Sequence, residues 1–202
     1  YVLMSARNKD TAQFLKLKGM NACDQQSMSA VQLIDGMQVY PIHFPYIPCG
    51  NSIHSIYTMQ ERIKEAFASR TVVPGFENVK LKFYPIHATG DARYPQSREK
   101  ARKLIEDFKA AQKTEVDKDG VTWKLWHFVM DCRMMRSGVD IPNCDAVAYA
   151  CFPKDLSGRD VIERLIQMNR ASRIFAGKML AYLFIPRQAD DEVVQGLINY
   201  AY

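Results

Sequence analysis

Five stretches of the chain are apolar almost without interruption or alternate with the period of a strand. They are 2–6 (VLMSA), 79–87 (VKLKFYPIH), 125–131 (LWHFVMD), 145–152 (DAVAYACF) and 179–185 (MLAYLFI). A strand can be apolar on both sides only where both faces of its sheet are covered, and helices packed on a parallel sheet provide that cover. The sequence between the strands supplies them. Residues 9–18 follow Asn8, a fitting N-cap. Residues 55–68 repeat apolar side chains at helical spacing, and 97–111 open on Ser97 and align Ala101, Leu104, Ile105 and Phe108 on one stripe. Residues 159–170 do the same with Val161, Ile162, Leu165 and Ile166. Strand and helix alternating in this way predict an α/β fold, a parallel β-sheet with helices on both faces. Two segments break the pattern. Residues 20–53, containing VYPIHFPYIPCGN, read as a long excursion and a candidate insertion, and 113–122 (KTEVDKDGVT) as a charged surface hairpin or loop.

A chain of 202 residues builds one domain with a real core. Its 48% hydrophobic and 24% charged residues are ordinary for a globular protein. A net charge of +5 permits contact with an acidic polymer without requiring it. Five cysteines, odd in number and never spaced C-x-x-C, support neither a disulfide framework nor a zinc site and point to a reducing, cytoplasmic setting. No apolar run approaches a membrane span, so no membrane partner is expected. The chain starts at Tyr1 rather than Met and enters an apolar run at once, which reads as a piece of a longer polypeptide.

No G-x-x-x-x-G-K-[ST] and no G-x-G-x-x-G occurs, so the usual phosphate-cradling loops are missing. His43, His54, His87 and His127 are scattered, and each reads as a core or surface histidine sooner than a metal ligand. The cationic stretch RDVIERLIQMNRASRIFAGK stands out, with Arg170 and Arg173 on one helical face and Arg164 and Lys178 nearby. By itself it is equally a solvated helix end or a pair of guanidinium groups aimed at phosphate.

Order along the chain tips the balance. GVDIPNCDAVAY resembles motif V, and IQMNRASR resembles motif VI (Q-x-x-G-R-x-x-R), of the second RecA-like lobe of superfamily 2 helicases and translocases. YVLMSARNKDTAQFLK resembles the motif IV strand and helix. YPIHATGD followed by SREKARKLIEDFKA resembles the segment where such lobes place a His and a Gly before an Arg-bearing helix. The nearest likeness is to predicted helicases related to the motors of single-polypeptide restriction–modification enzymes; Arg133, Gly138, Val139, Asp140 and Pro142 keep their motif V pattern, N-x-R-x-L-x-E-G-V-D-x-P.

The resemblance implies that residues 1–202 are one helicase C-terminal domain, the second lobe of a nucleic-acid-dependent ATPase. ATP and Mg²⁺ would be held mainly by an N-terminal RecA-like lobe of the same polypeptide, and this chain alone would be inactive for want of Walker A and B. Arg170 and Arg173 would be the finger arginines, which act by stabilising charge on the phosphoryl group in flight. Gly138 and Asp140 would lie at the nucleotide. Ser5, Arg7, Thr89, Gly90, Arg133 and Ser137 would line a track for DNA, or RNA, held through phosphates and therefore salt-sensitive. Five of these six have a plainer reading: Ser5 and Thr89 as helix caps, Arg7 and Arg133 as solvated charges, Gly90 as a turn.

Three departures weigh against full activity. Ile166 and Asn169 stand where motif VI has Gln and Gly, with Gln167 one place late, and Ser137 replaces the acid before the motif V glycine. They keep open a non-catalytic RecA-like module that binds nucleic acid or a partner. An unrelated doubly wound enzyme binding a phosphorylated metabolite is a third reading, disfavoured because four motif-like segments would have to fall in order by chance.

Overall fold

A computed structural model of the chain describes residues 22–50, 52–87, 91–132, 139–150, 167 and 181–184. In chain order they form α1 (Ala22–Val39), β1 (Pro45–Pro48), α2 (Ile53–Ser69), β2 (Val79–Ile86), α3 (Arg98–Lys109), β3 (Thr114–Val116), β4 (Thr122–Asp131), β5 (Ala146–Ala148) and β6 (Tyr182–Phe184). The strands make one six-stranded sheet in the order β2-β4-β1-β5-β6, with β3 attached to β4. Every neighbouring pair along that order is parallel, and only the β3–β4 pair is antiparallel.

Alternation along the strands divides the core between the two faces of the sheet. Trp126, Phe128 and Met130 of β4, with Ile47 of β1, pack beneath Leu33, Ile34 and Met37 of α1 and Ile56, Met59 and Ile63 of α2. Val129, Tyr46 and Val147 face the other way, against Ala101, Ile105 and Phe108 of α3. Each such aliphatic or aromatic side chain, once buried, contributes roughly 1.5–3 kcal/mol. The apolar spacing that predicts α2 and α3 is thus the spacing of their sheet-facing residues, and both helices open on serine caps. Ser52 Oγ accepts from Ser55 N and Ser97 Oγ from Lys100 N, each at 3.1 Å.

The expectation of an excursion over 20–53 is corrected. The segment holds α1, and it holds β1, which stands at the centre of the sheet between β4 and β5. Prolines obscure this strand, because proline cannot donate to a ladder and central strands normally exclude it. Here Pro45 and Pro48 occupy the two ends of a four-residue strand. Flanking residues carry the ladder: Asp145 N donates to Phe44 O (3.2 Å), His127 N to His43 O (2.8 Å) and Cys49 N to Asp131 O (2.9 Å). Residues 2–6 and 9–18, read as the first strand and helix, lie outside the described residues. Of the 159–170 helix only Gln167 is described; it is helical and buried.

The charged segment 113–122 is a hairpin onto β4. Asp117 Oδ1 accepts from the backbone N–H groups of Asp119 (3.0 Å) and Val121 (2.9 Å), and Oδ2 accepts from Trp123 Nε1 at 2.7 Å. Gly120 turns the chain at φ +78°.

Candidate functional site

Parallel strands deliver their carboxyl ends to one edge of the sheet, the edge at which α/β proteins bind ligands. Here that edge gathers the exits of β1, β2, β4 and β5. From β1 the chain passes Gly50, at φ +84°, and enters α2 through its Ser52 cap. Among the described residues, its chain neighbours aside, no atom lies within 4 Å of a Cβ built on Gly50, and the positive φ favours glycine there. From β2 the chain passes His87 and reaches α3 through the Ser97 cap.

Gln96 fixes the second of these exits. Its Oε1 accepts from His87 N at 3.0 Å and its Nε2 donates to Pro85 O at 2.8 Å, so one buried amide closes the loop onto its own strand. His87, 1% exposed, meets Tyr57 of α2, with Nε2 and the phenol oxygen 2.9 Å apart. Tyr57 in turn stacks on Tyr94, the ring centroids 4.1 Å apart and the planes within 9° of parallel. The Tyr94 hydroxyl lies 3.0 Å from His54 Nδ1. Burial, with Tyr94 and then Cys132 adding to it, pushes the Tyr57 phenol above its ordinary pKa. At the end of β4, buried Asp131 accepts from the Tyr46 hydroxyl at 2.7 Å.

A charged pair flanks Tyr94. Arg93 grips Asp91 through two nitrogens (3.2 and 3.1 Å), which holds the Asp91 carboxyl below its ordinary range. The Arg93 guanidinium also lies 5.8 Å from the Tyr94 ring centroid. Beyond it the amino-terminal half of α3 exposes Arg98, Lys100, Arg102 and Lys103 against a single acid, Glu99. Cations at a helix amino terminus oppose the helix dipole, so this distribution costs stability unless an anion shares the site.

Among the sequence-predicted site residues, Asp140 is described: it is exposed, between half-buried Val139 and buried Ile141, which pack on the α3 side of the core. Asn143 Nδ2 donates to Phe108 O at 2.7 Å and ties this segment to the last turn of α3. Arg170, Arg173, Gly138, Ser5, Arg7, Thr89, Gly90, Arg133 and Ser137 lie outside the described residues, as do Ile166 and Asn169. The stacked Tyr57–Tyr94 pair and Gln96 were not singled out from sequence, His54 was read only as a core or surface histidine, and SREKARKLIEDFKA only as an Arg-bearing helix by resemblance. The signal that could have found them is SREKARK itself, a basic run on a helix that starts at a strand exit.

No family model matches the sequence, and no curated protein matches it. Solved structures do. The ATP-dependent Type ISP restriction-modification enzyme LlaBIII bound to DNA aligns with 91% of this chain and 11% of its own, at 19% identity and a TM-score of 0.52. S. cerevisiae Dbp5 bound to RNA and ADP BeF3 aligns with 90% of this chain and 37% of its own, at 17% identity and a TM-score of 0.50. The chain therefore spans well under two thirds of either protein. At these identities the likeness is one of fold, and it agrees with the sheet order and the covered faces: this chain has a RecA-like α/β fold, a parallel sheet with helices on both faces.

Proposed function

We propose that this chain is the second motor lobe of a nucleic-acid-dependent ATPase of superfamily 2, with nucleic acid running across the carboxyl edge of its sheet. The observation that carries the reading is the cationic start of α3: Arg98, Lys100 and Arg102 stand exposed there, a few residues along the chain from Arg93 and from Tyr94, which stacks on Tyr57. A polyphosphate backbone would relieve the clash between these cations and the helix dipole, and an aromatic platform beside it suits an unstacked base. In the same reading, Arg170 and Arg173 reach across the cleft to ATP and Mg²⁺ held by an N-terminal lobe, and Gly138 and Asp140 approach the nucleotide. Ser5, Arg7, Thr89, Gly90, Arg133 and Ser137 complete the track. The solved neighbours bound to DNA and to RNA make both polymers reasonable ligands, with DNA taken first.

Fluorescence anisotropy with a labelled single-stranded oligonucleotide, titrated over a range of salt, tests the track. Arg98→Ala with Arg102→Ala is expected to weaken binding at least tenfold at low salt. It should also flatten the slope of log affinity against log salt by about 0.7 for each phosphate that the double variant no longer neutralises. Binding that ignores salt, or is unchanged by the double substitution, refutes it. In a polypeptide carrying both lobes, Arg170→Ala and Arg173→Ala should each lower ATP turnover by about 10³–10⁵. A non-catalytic binding module is the second reading, favoured by Ile166 and Asn169 in place of Gln and Gly. It predicts salt-sensitive binding with no turnover to lose.

A further inference from the structure

Two cysteines leave the sheet side by side. Cys49 follows β1 and Cys132 follows β4, and the parallel register runs Tyr46 to Val129, Ile47 to Met130 and Pro48 to Asp131. The Cys49 N–H donates to Asp131 O at 2.9 Å, which is how a parallel ladder continues by one step, and it sets Cys49 opposite Cys132. Alternation then puts both side chains on the face beneath α1 and α2, where Ile47, Cys49, Met130 and Cys132 belong to one cluster. Neighbouring strands lie about 4.8 Å apart, within the roughly 4.4–6.8 Å between Cα atoms that a disulfide spans. Burial differs usefully between the two: Cys49 is 1% exposed, whereas Cys132 is half-buried, near the Tyr57 phenol. Cys144 packs in the cluster on the opposite face, its Sγ 3.2 Å from Ala146 O.

We propose that Cys49 and Cys132 are a redox pair that closes to an intramolecular disulfide on reaction with hydrogen peroxide. The more accessible Cys132 reacts first. Its thiolate sulfur attacks one peroxide oxygen, the O–O bond breaks, and the departing hydroxide takes up a proton to become water, leaving a sulfenic acid on Cys132. The Cys49 sulfur then attacks the Cys132 sulfur, the S–O bond breaks, and the hydroxyl leaves as a second water carrying the Cys49 proton. Two thiols lose two electrons in all, and one peroxide becomes two waters. The new bond staples the exit of β1, which leads to the α2 cap, to the exit of β4. It stands on sheet register and is independent of the nucleic-acid reading.

The test uses the whole chain, treated with hydrogen peroxide, alkylated, digested with trypsin without reduction and mapped by mass spectrometry. Expected are a loss of two hydrogens from the intact chain and a linked peptide pair joining 125–133 to the peptide that carries Cys49. Fragment ions should assign the bond to Cys49 rather than Cys23, which shares that peptide, and dithiothreitol should reverse it. Cys144→Ser should leave the result unchanged, and Cys132→Ser should abolish it. A Cys132 that proceeds to sulfinic acid while Cys49 stays open to alkylation after unfolding overturns the proposal, as does Cys132 bonded to any other cysteine.

Discussion

At the amino end of β5, both oxygens of Asp145 are taken by the backbone entering β1: Oδ2 accepts from His43 N at 2.7 Å and Oδ1 from Phe44 N at 2.8 Å. Burial outweighs these bonds and pushes the carboxyl up to about 6. Across the same end of the sheet, burial lowers the imidazoles of His43 and His127 below their ordinary value. The signs oppose. The histidines contribute stability that is complete above about pH 6.5 and lost as pH falls toward their folded values; Asp145 contributes stability that is complete below about pH 3.8 and lost as pH rises through about 6. Urea midpoints measured between pH 7 and 5 should therefore fall less steeply in His127→Gln, and more steeply in Asp145→Asn, than in the parent chain. Gly36 makes a second residue-scale case. A Cβ there would stand 2.6 and 2.8 Å from two carbons of the Phe184 ring. Alanine favours the helix by about 1 kcal/mol, but the clash costs about 1–3 kcal/mol. Gly36→Ala should thus lower stability by about 1 kcal/mol, and adding Phe184→Leu should recover part of the loss in thermal melts. Neither position could be read from sequence, because each depends on a neighbour more than a hundred positions away.

Elements were legible to the degree that local chemistry decides them. Helices α2 and α3 announce themselves by apolar spacing and serine caps, and observed bounds fall within two residues of the expected ones. Strand β1 does not, because its identity comes from β4 and β5 on either side while its prolines argue locally against a strand. The site divides similarly. The basic run on α3 is plain in the sequence, but the Tyr57–Tyr94 stack requires α2 and the loop after β2 to meet. Two substitutions separate capping from loop closure. Ser97→Ala should cost about 1 kcal/mol, the ordinary value of an N-cap. Gln96→Ala should cost more, about 1–3 kcal/mol, since it strands the buried His87 N–H as well as Pro85 O. Chemical denaturation measures both, and equal losses would mean that the amide contributes no more than a cap.

Across the whole molecule, the arrangement separates two tasks. The amino edge of the sheet is tied shut by Asp145, half-buried His43 and buried His127, and the carboxyl edge carries the loops, caps and cations proposed to meet nucleic acid. Central placement of β1 has a further consequence, for the order in which the chain can assemble. Tyr46 pairs on one side with Val129 and on the other with Val147, so the middle of the sheet is contributed by its earliest described strand and completed by much later ones. Pairings of such long reach slow folding. At synthesis rates of about 5–20 residues per second, β1 leaves the ribosome roughly 5–20 seconds before β5 exists to cover its second side. A translational arrest sequence used as a force sensor should register no folding when placed just after residue 140, and should register it once the chain has emerged well past β6. Until then an apolar strand with at least one edge unpaired is a natural client for a chaperone, and the middle of the sheet, its most protected part when folded, is left exposed while the protein is being made.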